Sequence, residues 1–181
     1  MAPAEVTIRK AAHNDVPTLR MLAEQFVLAN LSQEAIDRHG FLVSNFSETA
    51  YREFIDRADH FYVIDGDKGV EAFILAYSSE CIKTDAKVDM AAKAHHPTGF
   101  ILIKQICVSP SAGGKGYGRT LYDWVREQSG GRAQYAAIVL EPYNAPSIRF
   151  HEKLGFHKVL EVVAADGMPR GVWARPAAKG E

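Results

Sequence analysis

At 181 residues the chain is the size of one domain and can bury a sizeable core. Its 21 lysines and arginines nearly balance 22 aspartates and glutamates, for a net charge of −1, so no global field recruits nucleic acid or an anionic membrane. No apolar run approaches the ~20 residues of a membrane helix; the opening MAPAEVTIRK lacks an apolar signal core, and two cysteines, Cys81 and Cys107, suggest neither a disulfide framework nor a metal cluster, which together point to a cytoplasmic, enzyme-like domain without metal.

Val6–Lys10 alternates and predicts a strand. Asn14 or Asp15 then caps a helix with Pro17 in its first turn, and Val16, Leu19, Leu22, Phe26 and Val27 form its apolar stripe. Ser47 opens a second helix to about Ala58, with Tyr51, Phe54 and Ile55 on its buried face. His60–Ile64 and Val70–Tyr77 predict a hairpin around DGDKG. Glu80–Pro97, polar and alanine-rich, fits no regular element; a long connection of this kind is more often functional or mobile than idle, and it is expected to form a flap over the substrate pocket, the alternative being a solvated surface excursion. Phe100–Val108 is a strand, followed by a helix from Gly116 to about Gln128 that Gly130–Gly131 ends. Gln134–Glu141 is a strand, Ala145–Leu154 a helix, and Phe156–Ala164 with Val172–Ala174 a last strand pair. The result is a mixed α/β domain over residues 1–175, in the order βααβββαβαββ with helices on both faces of the sheet, and a short tail at 176–181.

The segment TGFILIKQICVSPSAGGKGYGRTLY, residues 98–122, carries the most chemistry. An apolar strand runs into a glycine-rich turn and then a helix N-terminus. Such a turn presents free backbone N–H groups to an anion, and the helix dipole adds partial positive charge. The spacing excludes a nucleotide P-loop, which needs GxxxxGK[ST], and the dinucleotide pattern GxGxxG, because Gly114, Gly116 and Gly118 read GxGxG.

The segment resembles the acyl-CoA loop of the GNAT N-acetyltransferases, V-x-P-x-x-[Q/R]-x-x-G-x-[G/A], with Val108, Pro110, Gly116 and Gly118 in register. NAPSIRFHEKLGF, residues 144–156, resembles that family's second motif, N-x-x-[A/S]-x-x-[F/L]-Y-x-K-x-G-F, through Asn144, Ser147, Phe150, Lys153, Gly155 and Phe156. The resemblance extends to the opening strand and helix, and so to nearly the whole chain. Two departures stand out: Gly113 replaces the usual Gln or Arg, and His151 replaces the usual Tyr, which in the family protonates the leaving thiolate.

The resemblance implies acetyl transfer from acetyl-CoA to a primary amine, on a small molecule or a protein, by direct attack in a ternary complex. It implies that Gly113, Gly114, Lys115, Gly116, Tyr117, Gly118 and Arg119 hold the cofactor phosphates. Ile106, Cys107 and Val108 would offer backbone groups to pantetheine, one amide also serving the oxyanion, and Asn144 would bond pantetheine or cap its helix. His151 is the candidate acid, with Tyr143 in reserve. The base is open: Glu141, by the order of elements, or Glu80, His95 or His96 around the insertion, or a water. A covalent route through Cys107 is disfavoured, because a thiol in an apolar strand is usually inert. A His donor would give an alkaline limb near pH 7. The rival reading is an acyl-CoA-holding module with little catalysis. Neither acceptor nor oligomeric state is selected by the residues, and a homodimer is compatible with them.

Overall fold

The computed structural model describes residues 6–96 and 99–179. Alternation of the kind seen in His60–Ile64 builds a sheet with two different faces. Tyr62 and Ile64 point to one core cluster, Phe61 and Val63 to another. Seven strands form this sheet: β1 (Thr7–Lys10), β2 (His60–Gly66), β3 (Gly69–Ser78), β4 (Phe100–Val108), β5 (Ala133–Val139), β6 (His157–Val163) and β7 (Pro169–Arg175). Their spatial order is β1-β2-β3-β4-β5-β7-β6. Every neighbouring pair is antiparallel except β4 and β5. The β2–β3 hairpin closes over Asp67 and Lys68, as its turn chemistry predicts.

Among the described residues five α-helices cover the two faces. On one face lie α5 (Tyr117–Gln128) and α6 (Ala145–Lys153), through Leu121, Tyr122, Val125 and Ile148. The other face carries α1 (Val16–Glu24) and α3 (Glu48–Arg57), through Leu19, Leu22 and Tyr51, over Phe73 and Leu75. Farther along that face α4 (Lys87–His95) packs Ala92 against Phe100, Tyr135 and Val172. A short helix, α2 (Gln33–His39), precedes the loop to α3. Among the described residues no helix is long and apolar enough to cross a membrane.

The expected order βααβββαβαββ is present, with α2 and α4 added to it. Both ends of α2 carry ordinary signals: the Ser32 hydroxyl accepts from the Ala35 amide at 3.2 Å, and Gly40 stops the helix at φ 72°. The added α4 lies inside the segment expected to be irregular. Its cap, Ala86, contributes no side-chain bond, and one of its few inward residues is the charged Asp89. Pro97, the expected end of that segment, lies outside the described residues, as do residues 1–5 of the expected domain and 180–181 of the expected tail.

Two features of β4 place the site. It pairs with β5 only from Phe100↔Ala133 to Ile103↔Ala136. On its other edge Leu75 faces Gln105 while Ala76 faces Ile103, so Lys104 is a bulged residue without an opposite number. A bulge bends the strand and increases its twist, and the inner edges of β4 and β5 lose their pairing from this point on.

Gly118, in the first turn of α5, lets α6 approach. A Cβ there would stand 2.8 Å from Phe150 Cζ, and that ring is itself wedged against Tyr122 and His151. Gly118→Val should therefore destabilise the chain by about 1–3 kcal/mol, the usual cost of overpacking. The check is urea unfolding, where the midpoint should fall at an unchanged m-value.

Candidate active site

The glycine loop follows the end of β4 directly. Pro110–Ala112 form one 3-10 turn, and α5 begins at Tyr117. Gly114 and Gly116 hold φ of 82° and 76°, a region that suits glycine and strains other residues. A Cβ on either would meet no atom within 4 Å, so the loop is open on its outer side. The Gly113 and Lys115 amides turn inward, to Pro110 O at 3.2 Å and Ala112 O at 3.3 Å. The amides of Gly114, Gly116, Tyr117, Gly118 and Arg119 have no acceptor among the described residues. They lie at the N-terminus of a twelve-residue helix, the arrangement that attracts anions. Lys115 stands 3.5 Å from Glu71 and over the Tyr117 ring; Arg119 donates to Lys153 O at 3.2 Å.

Where β4 and β5 part there is a cleft of about 420 Å³. Leu102–Ile106 and Ala136–Val139 form its two strand walls. The Phe41–Ser44 loop, Asp85–Asp89 and the β6–β7 turn at Ala164–Asp166 surround it. Ile106 lines the cleft, whereas the Cys107 side chain points to the opposite core with Phe73 and Leu75. Burial pushes that thiol's pKa far up, so it stays a protonated, unreactive packing group.

His151 lines the cleft at 4% exposure. Its Nδ1–H donates to Ser147 O at 2.7 Å, so Nε2 accepts from the Tyr122 hydroxyl at 2.6 Å. Tyr122, Phe150 and Phe156 enclose the ring. Burial pushes the imidazole pKa down to about 4. The expected alkaline limb near pH 7 therefore has no source in His151: the ring is already neutral there, and its one N–H is committed to a carbonyl. The same burial pushes the Tyr122 phenol well above its ordinary range, so it keeps its proton. Tyr122 also lines the cleft.

Asn144 opens α6 without using its side chain as a helix cap. Its Nδ2 donates to Phe41 O at 2.9 Å, while its buried Oδ1 has no partner among the described residues. Opposite it, Lys104 reaches Asp89 of α4 at 3.6 Å, and Asp89 accepts the Tyr77 hydroxyl at 2.5 Å. Arg170 is paired with Asp166 at 2.5 Å.

The structure thus gathers Ile106, Asn144 and His151 around the cleft, with the glycine loop following β4. Glu141, a candidate base, and Tyr143, the reserve acid, are exposed on the β5–α6 connection and line no part of the cleft; nor do Glu80, His95 or His96. Glu80 pairs with Arg132, and both histidines bond the Tyr135 hydroxyl. Tyr122, Lys104 and Asp89 were not foreseen. Tyr122 reads as one more apolar residue of a helix, and the Lys104 bulge leaves no mark in composition. Among the described residues no three His, Cys, Asp or Glu side chains converge as a metal site.

A buried neutral histidine makes stability pH-dependent. The unfolded chain protonates His151 at pKa ~6.5, the folded chain only at about 4. Between those values the unfolded state binds the extra proton, so stability is complete above pH 6.5 and falls as the pH drops toward 4, by up to about 3 kcal/mol. His151→Phe should remove this slope. Denaturation midpoints of both proteins from pH 4 to 7.5 provide the check; parallel curves would mean that the ring is not buried neutral.

The residues 28–156, more than half of the chain, match the family model described as "Acetyltransferase (GNAT) family". No curated protein sequence matches the chain. Solved structures share its fold. The ribosomal-protein-S18-alanine N-acetyltransferase of Escherichia coli aligns with a TM-score of 0.63 at 16% identity, covering 98% of this chain and 97% of that one. A GNAT-family acetyltransferase of Streptococcus agalactiae gives 0.68 at 17%, covering 97% and 98%. Chaetomium thermophilum Naa20, in complex with a bisubstrate analogue, gives 0.67 at 15%, covering 94% and 86%. The seven-stranded sheet parted between β4 and β5 agrees with the sequence match, and the chain belongs to the GNAT acetyltransferase family.

Proposed function

We propose that this chain transfers the acetyl group of acetyl-CoA to a primary amine by direct attack within a ternary complex. The observation that carries the reading is the parting of β4 and β5 beside a loop and helix start whose five amides have no acceptor among the described residues. The loop and the N-terminus of α5 suit a pyrophosphate, with Lys115 and Arg119 at the rim. The unpaired inner edge of β4, at Ile106, Cys107 and Val108, suits an amide-bearing arm such as pantetheine. Asn144 Oδ1, a buried acceptor without a partner, gives that arm a place for an N–H. The S18-alanine N-acetyltransferase, which shares the fold, supports a nitrogen acceptor.

In the reaction the amine nitrogen forms a bond to the thioester carbonyl carbon. The C–S bond then breaks, and one proton passes overall from nitrogen to sulfur. A β4 backbone amide facing the cleft stabilises the developing oxyanion. The donor role expected of His151 falls to the Tyr122 hydroxyl, which keeps its proton and belongs to a side chain lining the cleft. His151 is then a positioning residue, locked by Ser147 O. No side chain is assigned as the base: Asp89 and Asp166 are held in ion pairs, and a water can carry the proton from the amine.

Calorimetry tests the first half. Gly116→Asp places a side chain and a negative charge at a left-handed position facing the anion, so CoA affinity should fall at least about tenfold; equal affinity would remove the loop from the site. Thiol release with a panel of amines tests the second half. Tight CoA binding with no release would make the chain a cofactor-holding module.

The Tyr122–His151 pair has its own signature. Tyr122→Phe should lower kcat about a hundredfold, as loss of a general acid does, with CoA affinity unchanged. The wild-type kcat profile should show no alkaline limb near pH 7. A limb at that pH that vanishes in His151→Phe would return the donor role to His151.

A further inference from the structure

A second cavity, of about 270 Å³, opens between α3 and the segment that leads into α4. The walls are apolar and partly aromatic: Phe46, Ala50, Phe54, Ala58 and Tyr77. Ala86, Asp89 and Lys104 line both this chamber and the cleft. The two spaces therefore meet at one wall, formed by the bulged residue of β4 and its counter-ion on α4.

Size and polarity define what fits. A dry cavity of ~150 Å³ takes a benzene ring, so this chamber holds a phenyl-sized group and the methylenes that carry it. Its inner polar groups are spent on one another: Tyr77 O–H on Asp89, and Asp89 on Lys104. A peptide backbone placed there would bury N–H and C=O groups without partners. Of its other charged lining residues, Glu53, Arg57 and Lys83 are exposed.

We infer that this chamber receives the apolar substituent of the acceptor, and that the acceptor is a small primary amine carrying one compact aromatic or branched aliphatic group. The inference rests on the acetyl-transfer reading above and deepens it. The amine reaches the cleft past Lys104 while its apolar group remains between α3 and the β3–α4 connection. The helical insertion then acts as one wall of a specificity chamber.

The test uses the full chain saturated with CoA, with phenethylamine as the probe and ethylamine as the control. Phenethylamine should bind at least about tenfold more tightly, the advantage of burying one aromatic group. Ala50→Leu fills the chamber from α3 with a good helix former. It should abolish that advantage and leave CoA affinity unchanged. With acetyl-CoA, the same substitution should cut kcat/KM for phenethylamine about tenfold and spare ethylamine. Ala58→Leu fills the same space if Ala50→Leu fails to fold. Equal binding of the two amines to wild type, or an advantage that survives the filled chamber, would overturn the inference. So would a peptide with a free N-terminus that outcompetes phenethylamine and ignores the filling. Ala50-dependent binding of phenethylamine without thiol release from any amine would sink the transfer reading and leave the chamber standing.

Discussion

The rest of the structure depends on the point at which β4 and β5 stop pairing. Each strand keeps its outer partner beyond it: β3 follows β4 to Val108, and β7 follows β5 to Val139. Only the inner edges are released, after Ile103↔Ala136. Backbone donors and acceptors left without partners inside a protein are costly, so a gap of this kind in the middle of a sheet is an opening for something that carries its own amides. The bulge at Lys104 bends β4 where the strands diverge. It also directs a charged side chain into the space it creates, and Asp89 on α4 answers that charge.

The elements legible in the sequence are those whose signal is local. The β2–β3 hairpin follows from its turn, α3 from Ser47, whose hydroxyl accepts from Ala50 N at 3.1 Å, and the glycine loop from residues whose left-handed φ few other side chains tolerate. The signals missed are of two kinds. For α2 they are present, in Ser32 and Gly40, but over a helix of only seven residues. For α4 they are absent: KVDMAAKAH has a weak apolar stripe, an uncapped start and an aspartate turned inward. That aspartate is tolerable only because Tyr77, twelve residues earlier, donates to it and Lys104 pairs with it. No window of the sequence contains that fact.

The position of His151 was legible and its state was not. The second motif places the residue on α6, at the edge of the cleft. Its protonation depends on Tyr122, 29 residues away, on a carbonyl one turn earlier, and on three rings that exclude water. Burial removes the stabilisation an imidazolium would have in water, and neither neighbour supplies a negative charge to replace it. A histidine that titrates near neutrality when exposed is thereby turned into a fixed hydrogen-bond bridge between α5 and α6. A substitution that looks in sequence like a change of acid is in structure a change of partner.

The two halves of the cleft are also mechanically joined. Asn144 lines the cleft at the start of α6, and its Nδ2 holds Phe41 O, part of the loop on another wall. Gln105 of β4 reaches the same loop at Ser44 O, 3.4 Å away, while accepting the Tyr51 hydroxyl. Gly40 allows this closeness: a Cβ there would lie 2.5 Å from Asn144 Oδ1. One amide thus fixes the Phe41–Ser44 loop with its nitrogen and keeps its oxygen unpartnered. Any group that bonds the oxygen restrains the same side chain that positions the loop. Two walls of the cleft, α6 and the Phe41–Ser44 loop, are therefore tied together through a single side chain, without any contribution from the sheet.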